Sequence, residues 1–286
     1  MIYLALSILA STGIFILFKL FKKYNIDTLQ AIVVNYITAC AAGFLHYNQN
    51  INLNSIKNTT WFYAAIGLGF LFIAIFNVMA LTAQRNGLSV ASVASKMSVI
   101  IPVIFGIWVY NEGVGAQKII GIILALLAVY LSSIKSSRLK AQQKEKATIW
   151  LPIILFLGSG TIDTSINYFA PDDSIPLFSA TIFGFAFIIG CAVLLYKSVK
   201  FKKYFSPRSI PLGFALGLVN YASIFFLLKA LRIEGLESSA LFTINNVAIV
   251  AISTLVGLLV FGEKISKTNW VGISLALVSI VLVTLA

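Results

Sequence analysis

The chain has 286 residues, of which 59% are hydrophobic and only 10% charged, against about a quarter charged in ordinary soluble domains. So little polar surface excludes a soluble enzyme or a soluble binding domain of this length. The net charge of +12 does not point to nucleic acid, because nearly all Lys and Arg lie between apolar runs, as in the loops beside membrane spans.

A helix needs about 20 apolar residues to cross a bilayer core. In chain order, ten runs qualify: 2–20, 28–46, 60–83, 88–110, 115–134, 149–169, 175–196, 210–231, 236–260 and 267–285. Hydrocarbon offers the backbone no partner, so each run must be a helix. No stretch alternates polar and apolar residues over ten positions, as the strands of a membrane barrel do. The first run, MIYLALSILASTGIFILF, lacks a basic leader and a clear small-residue cleavage site, and reads as a span rather than a signal peptide. The longest connections are 46–60 and 135–148. The second, KSSRLKAQQKEKAT, is basic and polar and separates 1–134 from 149–286.

The two halves resemble each other. A shift of 148 places Ala65 and Gly69 on Gly213 and Gly217, and Gly87 on Gly235; at a shift of 151, Gly106 meets Gly257, Glu112 meets Glu263 and Gly121 meets Gly272. Five spans in each half force the halves into opposite orientations. Inverted repeats of this kind recur in secondary transporters, with the substrate site near the midplane. The expected fold is therefore all-α and polytopic, with ten transmembrane helices in two inverted five-helix repeats. Connections after odd-numbered spans hold sixteen Lys and Arg and the others four, which by the positive-inside rule puts both termini outside.

An ionisable residue inside a span is costly unless it faces a cavity or a partner. Lys96 is the ninth residue of span four, about 12 Å from its start, too deep for its stem to snorkel out. Asp163 is the fifteenth residue of span six, about 21 Å from the same face. One reading makes Lys96 the binder of an anionic substrate group and Asp163 the binder of an amine or an exchanger of protons. The other makes them a structural ion pair. Span nine carries Thr243, Asn245 and Asn246 around Ile244, the repeat equivalent of Lys96. Asn35, Asn77, Asn167 and Tyr221, the last beside Asn220, are further candidates to line a substrate site. Polar groups in spans also act as glue between helices, worth about 0.6 kcal/mol each. The small-residue pairs Ala65/Gly69 and Gly213/Gly217 read as packing faces, where backbones approach closely. Glu112 and Glu263 end their helices in turn-like sequence and read as caps or gates. His46, alone of its kind, ends an apolar run and reads as interfacial.

Cys40 and Cys191 lie in apolar runs and suggest neither a disulfide framework nor a metal site. No Walker, HExxH or CxxC motif and no carboxylate pair is present, so ATP-driven pumping, intramembrane catalysis and a cofactor are not expected.

The stretch LTAQRNGLSVASVASKMSVIIPVIFGIWVYNEGVGAQKIIGIILALLAVYL resembles the signature half of EamA-type proteins of the drug/metabolite transporter superfamily. The stretch LLKALRIEGLESSALFTINNVAIVAISTLVGLLVFGEKISKTNWVGISLALVSIVLV is a similar second copy. The sharpest motifs are Gly262–Glu263 and Gly272. Asn111 departs from the Gly expected before Glu112, and Pro102 fits the family's mid-helix Pro in span four. The resemblance implies ten helices around a central cavity, spans three, four, eight and nine about the substrate, and alternating access. It also implies cytoplasmic termini, opposite to the Lys/Arg count. The expected function is secondary transport of a small polar metabolite with an anionic group, in the cell inner membrane. The partners are that small-molecule substrate, the lipid bilayer and, through Asp163, protons, but no nucleic acid; monomer and homodimer both fit. The alternative is a non-transporting membrane protein that handles lipid or senses a signal.

Overall fold

The computed structural model describes residues 2–47, 59–109, 115–133, 149–169, 171, 175–202, 204–231 and 238–284; the side chains of a few helical residues, Asn167 and Thr243 among them, lie outside that description. Among the described residues there is no strand. The helices are α1 (Ile2–Lys23), α2 (Thr28–His46), α3 (Phe62–Arg85), α4 (Leu88–Met97), α5 (Ile100–Val109), α6 (Ala116–Ser133), α7 (Trp150–Phe169), α8 (Ile175–Phe201), α9 (Ser209–Leu231), α10 (Ser238–Leu259) and α11 (Lys267–Thr284). Six stretches are long and apolar enough to cross a membrane: Ile2–Lys23, Thr28–His46, Phe62–Arg85, Leu88–Val109, Pro176–Phe201 and Ser209–Leu227. Shorter apolar helices, Ala116–Ser132, Trp150–Ile166, Ile244–Leu259 and Lys267–Val283, fall in the other expected spans.

Local chemistry sets the ends. The last turn of α1 carries Lys22 and Lys23, cations that complement the helix dipole. Asn25 then takes φ 52°, with Asn25 N–H donating to Lys22 O at 3.3 Å and Ile26 N–H to Phe21 O at 2.8 Å. This is a Schellman stop with Asn in the left-handed position. Asp27 restarts the chain as N-cap of α2, its carboxylate accepting from Gln30 N–H at 3.1 Å, as N-cap Asp does.

Span four differs from the expected single helix: α4 and α5 are separated by a turn at Ser98–Val99. Pro102 has no N–H to give the carbonyl of Ser98 four residues back. Ile101 N–H takes that oxygen instead at 2.9 Å, in a tighter bond across three residues. Span seven differs in length, because α8 runs on to Phe201, five residues beyond its expected end. The added turn is amphipathic rather than apolar, which the run-length reading undercounts.

The chain divides into two compact units. The first comprises Met1–Lys19, Val78–Thr161 and Ala222–Ala286, the second Leu20–Asn77 and Ile162–Tyr221.

In the first unit α6 packs along α11, and the close approaches are reciprocal. A Cβ on Gly121 would stand 3.1 Å from Val283 N and 3.2 Å from Leu282 Cβ; one on Gly272 would stand 2.5 Å from Ser132 N and 3.0 Å from Leu131 C. Gln117 Nε2 donates to Leu282 O at 3.3 Å, while Asn269 Nδ2 donates to Leu131 O at 3.1 Å and Ser132 O at 2.6 Å. Each helix thus places a small residue and an amide near its start against the end of the other. Val93, Met97 and Ile100, either side of the break, pack with Val129 of α6, Val250 of α10 and Ile280 of α11. Gly160 of α7 leaves room for Ile101, whose Cβ would lie 2.6 Å from an added methyl.

In the second unit α2 packs along α8. Gly69 of α3 lies on α8, where an added Cβ would stand 2.9 Å from Ala186 N. Gly213 and Gly217 of α9 lie on α2, where added Cβ atoms would stand 2.6 Å from Ala31 O and 2.7 Å from Asn35 O. Gly69 of the first small-residue pair therefore seats α3 on α8, and the second pair, Gly213 and Gly217, seats α9 on α2. Between them the buried Tyr36 ring lies 5.6 Å from Phe76 and 5.9 Å from Phe183, and its hydroxyl donates to Phe72 O at 2.8 Å.

Gly217→Ala puts its methyl 2.5 Å from Thr38 Cβ, against rigid atoms, and should cost about 1–3 kcal/mol by overpacking. Gly67→Ala, with nothing within 4 Å of the added atom, should be neutral or slightly stabilising. Melting temperatures of the two variants in one detergent check the pair; equal values would refute the packing.

Candidate functional site

The first unit holds Lys96 in the last turn of α4, half-buried and two residues before the break. Ser98 keeps helical dihedrals, φ −59° and ψ −18°, so the break is a tightened turn within the one apolar stretch Leu88–Val109. A Lys beside the C-terminal carbonyls of α4 is also favoured by the helix dipole.

Helix α10 packs against α4 and brings Asn245 and Asn246, both buried. The Ser7 hydroxyl of α1 is shared between Ser223 O of α9 at 3.1 Å and Asn245 Oδ1 at 3.3 Å, so Ser7 joins three helices and Asn245 turns its oxygen toward α1. Farther along the same two helices, the hydroxyls of Ser89 and Thr254 are buried with no hydrogen-bond partner among the described residues. An unsatisfied buried hydroxyl costs about 1–3 kcal/mol and calls for a water or a ligand. Thr12 of α1, Asn86 and Ser159 of α7 are buried in the same unit with a side-chain atom likewise unpartnered among the described residues.

At the start of α4 stands a feature that sequence reasoning only half found. Glu263, on the turn after α10, accepts from Leu88 N–H with both oxygens, at 2.9 and 3.0 Å, and pairs with Lys19 Nζ of α1 at 2.7 Å. Lys19 also donates to Ala83 O of α3 at 3.4 Å. Gly87, the N-cap of α4, makes no side-chain cap and takes φ 114°, a conformation open to Gly. A Cβ there would lie 2.8 Å from Glu263 Oε2, and one on Gly257 would lie 2.7 Å from the same oxygen. Gly262, in the left-handed conformation at φ 59°, turns the chain so that Glu263 points back. Glu263 is thus a cap, but for α4 rather than for its own helix. The Gly262–Glu263 motif was the signal; Lys19, counted only as a loop charge, gave none.

The second unit holds the other candidates. Asn35 and Asn220 are buried and joined, Asn220 Nδ2 donating to Asn35 Oδ1 at 3.1 Å, so this pair acts as glue between α2 and α9. Asn77 Nδ2 donates to Ile73 O of its own helix at 2.7 Å. Tyr221 OH and His46 Nδ1 lie 2.7 Å apart, giving the interfacial His46 an unforeseen partner from α9. Asp163 is exposed on α7. The side chains of Asn167 and Thr243, and residue Glu112, lie outside the described ones.

Glu263→Ala should speed amide exchange in the first turn of α4 by about tenfold or more, since a charge-assisted hydrogen bond is worth about 1.5–3 kcal/mol. Lys19→Met, which leaves the carboxylate on Leu88 N–H, should do so less. Hydrogen-exchange mass spectrometry of the 86–97 peptide measures both, and unchanged exchange in Glu263→Ala would contradict the capping role.

No family model matches the chain. It is 28% identical over 283 residues to an uncharacterised protein of Haemophilus influenzae, covering 97% of this chain and 95% of that one. It is 27% identical over 199 residues to a probable glucose uptake protein, GlcU, of Priestia megaterium, covering 66% of this chain and 65% of that protein. This weak likeness, together with the apolar helices, supports a multi-pass membrane transporter in general terms.

Proposed function

We propose that the chain is a secondary transporter of a small polar metabolite, of the EamA type in the drug/metabolite transporter superfamily, working by alternating access in the cell inner membrane. Ten spans form two inverted five-helix repeats, 1–134 and 149–286, joined by the basic 135–148 segment. The repeat reading is supported by the reciprocal packing of α6 and α11, in which Gly121 and Gly272 exchange roles at the shift of 151. Ten alternating spans are supported by which helix ends meet. In the first unit Lys19, Leu88 and Glu263 meet, and Asn269 meets Ser132; in the second Gln30 meets Tyr204 and Ser206. Ten alternate crossings put the members of each group on one face. The mechanism uses binding and helix movement, and we assign no covalent chemistry to it.

The observation that carries the proposal is the turn within span four: Lys96 lies two residues before it, on a helix that packs against the one bearing Asn245, Asn246 and Thr254. Lys96 supplies a cation for a carboxylate or phosphate, and the amides and hydroxyls suit the remaining polar groups. A neutral sugar is the second reading, favoured by the relative described as a probable glucose uptake protein; there the hydroxyls and amides do the binding and Lys96 donates hydrogen bonds. Asp163 is the residue we assign to proton exchange, if transport is proton-coupled.

A thermal-shift panel of carboxylates, sugar phosphates and neutral monosaccharides separates the readings. A ligand that stabilises wild type but not Lys96→Ala, and whose uptake into proteoliposomes falls at least tenfold in that variant, is the expected result. Near-normal uptake by a folded Lys96→Ala protein would remove Lys96 from the site. Stabilisation by neutral sugars alone would select the second reading.

A further inference from the structure

The second unit carries a basic and aromatic platform that the transport reading does not use. At about 1.5 Å per residue, the 27 residues of α8 reach about 40 Å, beyond a hydrocarbon core of about 30 Å. The overshoot carries Tyr196, Lys197, Lys200 and Phe201. Lys200 Nζ donates to Tyr196 OH at 2.8 Å and lies 5.3 and 5.6 Å from the Tyr196 and Phe201 ring centres. The end of α1 repeats the pattern, with Lys23 Nζ 5.9 Å from the Tyr24 ring centre.

One buried side chain ties these two ends together. Gln30, at the start of α2, donates through Nε2 to Tyr204 O at 3.1 Å, and its Oε1 accepts from Ser206 N–H at 2.8 Å and Ser209 Oγ at 3.3 Å. The segment after α8 is thereby fixed against the segment after α1. Across 20–30 and 195–209 there are seven basic residues and one acid, Asp27. Asp27 is committed to the N-cap of α2. Tyr24, Tyr196, Phe201 and Tyr204 are 58, 57, 59 and 76% exposed, and Lys22, Lys23, Lys197, Lys200 and Lys202 are exposed beside them.

We propose that this platform binds the headgroups of anionic phospholipids. A water-facing loop gains nothing from displaying four large rings, whereas Tyr and its relatives sit at the level of lipid headgroups with their apolar bodies in the acyl boundary. Lys stems lie along the apolar surface and raise their ammonium groups to the phosphates. Juxtamembrane basic clusters are drawn to the anionic cytoplasmic leaflet, the side on which the Lys/Arg count places these connections. Acidic proteins and nucleic acid would answer the charge but not the exposed rings.

The test uses the purified full-length protein in a neutral detergent, with phosphatidylglycerol or phosphatidylcholine added, read by native mass spectrometry and by melting temperature. Wild type should retain more phosphatidylglycerol than phosphatidylcholine and melt several degrees higher with it. The Lys22→Gln/Lys197→Gln/Lys200→Gln/Lys202→Gln variant should lose most of that difference while melting like wild type in phosphatidylcholine. Tyr196→Ser/Phe201→Ser, with the charges kept, should lose part of it. No preference in wild type, or a full preference in the Lys variant, would overturn the proposal. Equal stabilisation by soluble glycerol phosphate would overturn the membrane-surface reading in favour of a free-anion site. None of these outcomes depends on whether the chain transports anything. If the multiple variant does not fold, single Lys200→Gln and Lys197→Gln variants carry the same comparison with smaller shifts.

Discussion

Helices in hydrocarbon gain little by burying apolar side chains against one another, because lipid tails are as apolar as the residues they would replace. Close approach has to supply the attraction, and small residues permit it. In the second unit Gly69 sets α3 on α8, and Gly213 with Gly217 sets α9 on α2. In the first unit Gly121 and Gly272 set α6 on α11, and Gly160 admits Ile101. Dispersion between closely spaced backbones then holds each unit. An added methyl is harmful at these positions and harmless at Gly67 for the same reason.

Close approach leaves the helix ends to be satisfied, and here the chain uses long polar side chains borrowed from other helices. The first N–H of α4 has no cap of its own and takes the carboxylate of Glu263. The last carbonyls of α6 take Asn269, and one near the end of α11 takes Gln117. Gln30 serves the backbone that precedes α9. Each such bond fixes a helix end and ties two segments together, so the same atoms satisfy the backbone and set the packing. Lys19 extends the Glu263 group to α1 and α3. Its charge is half of an ion pair among the described residues rather than a free loop charge.

Runs of apolar residues marked where helices lie, because hydrocarbon demands length and hydrophobicity and both can be counted. The small-residue pairs were legible for a similar reason: a Gly in a span has few uses besides proximity. The break in span four was only half legible. Pro102 was visible, but a Pro can kink a helix or end it, and the outcome depends on Ile101 N–H taking the Ser98 carbonyl. Partners of polar residues were not legible. Asn35 could have lined a site or bonded a neighbour, and only the placement of Asn220 makes it glue. His46 gained Tyr221 in the same way. Pairing across roughly 170–240 residues of sequence leaves no local trace.

The break bears on Lys96. An unbroken span four would satisfy its own backbone and leave Lys96 as an isolated cost. Dividing it at Ser98–Val99 puts Lys96 in the last turn of a short helix, where nearby carbonyls stabilise its charge. The same helix is anchored at its start by Glu263. In an apolar unit, buried hydroxyls such as Ser89 and Thr254 are retained at a cost. Thr12 of α1, Asn86 before α4 and Ser159 of α7 share that condition among the described residues of the same unit, so the cost is spread over several of its helices.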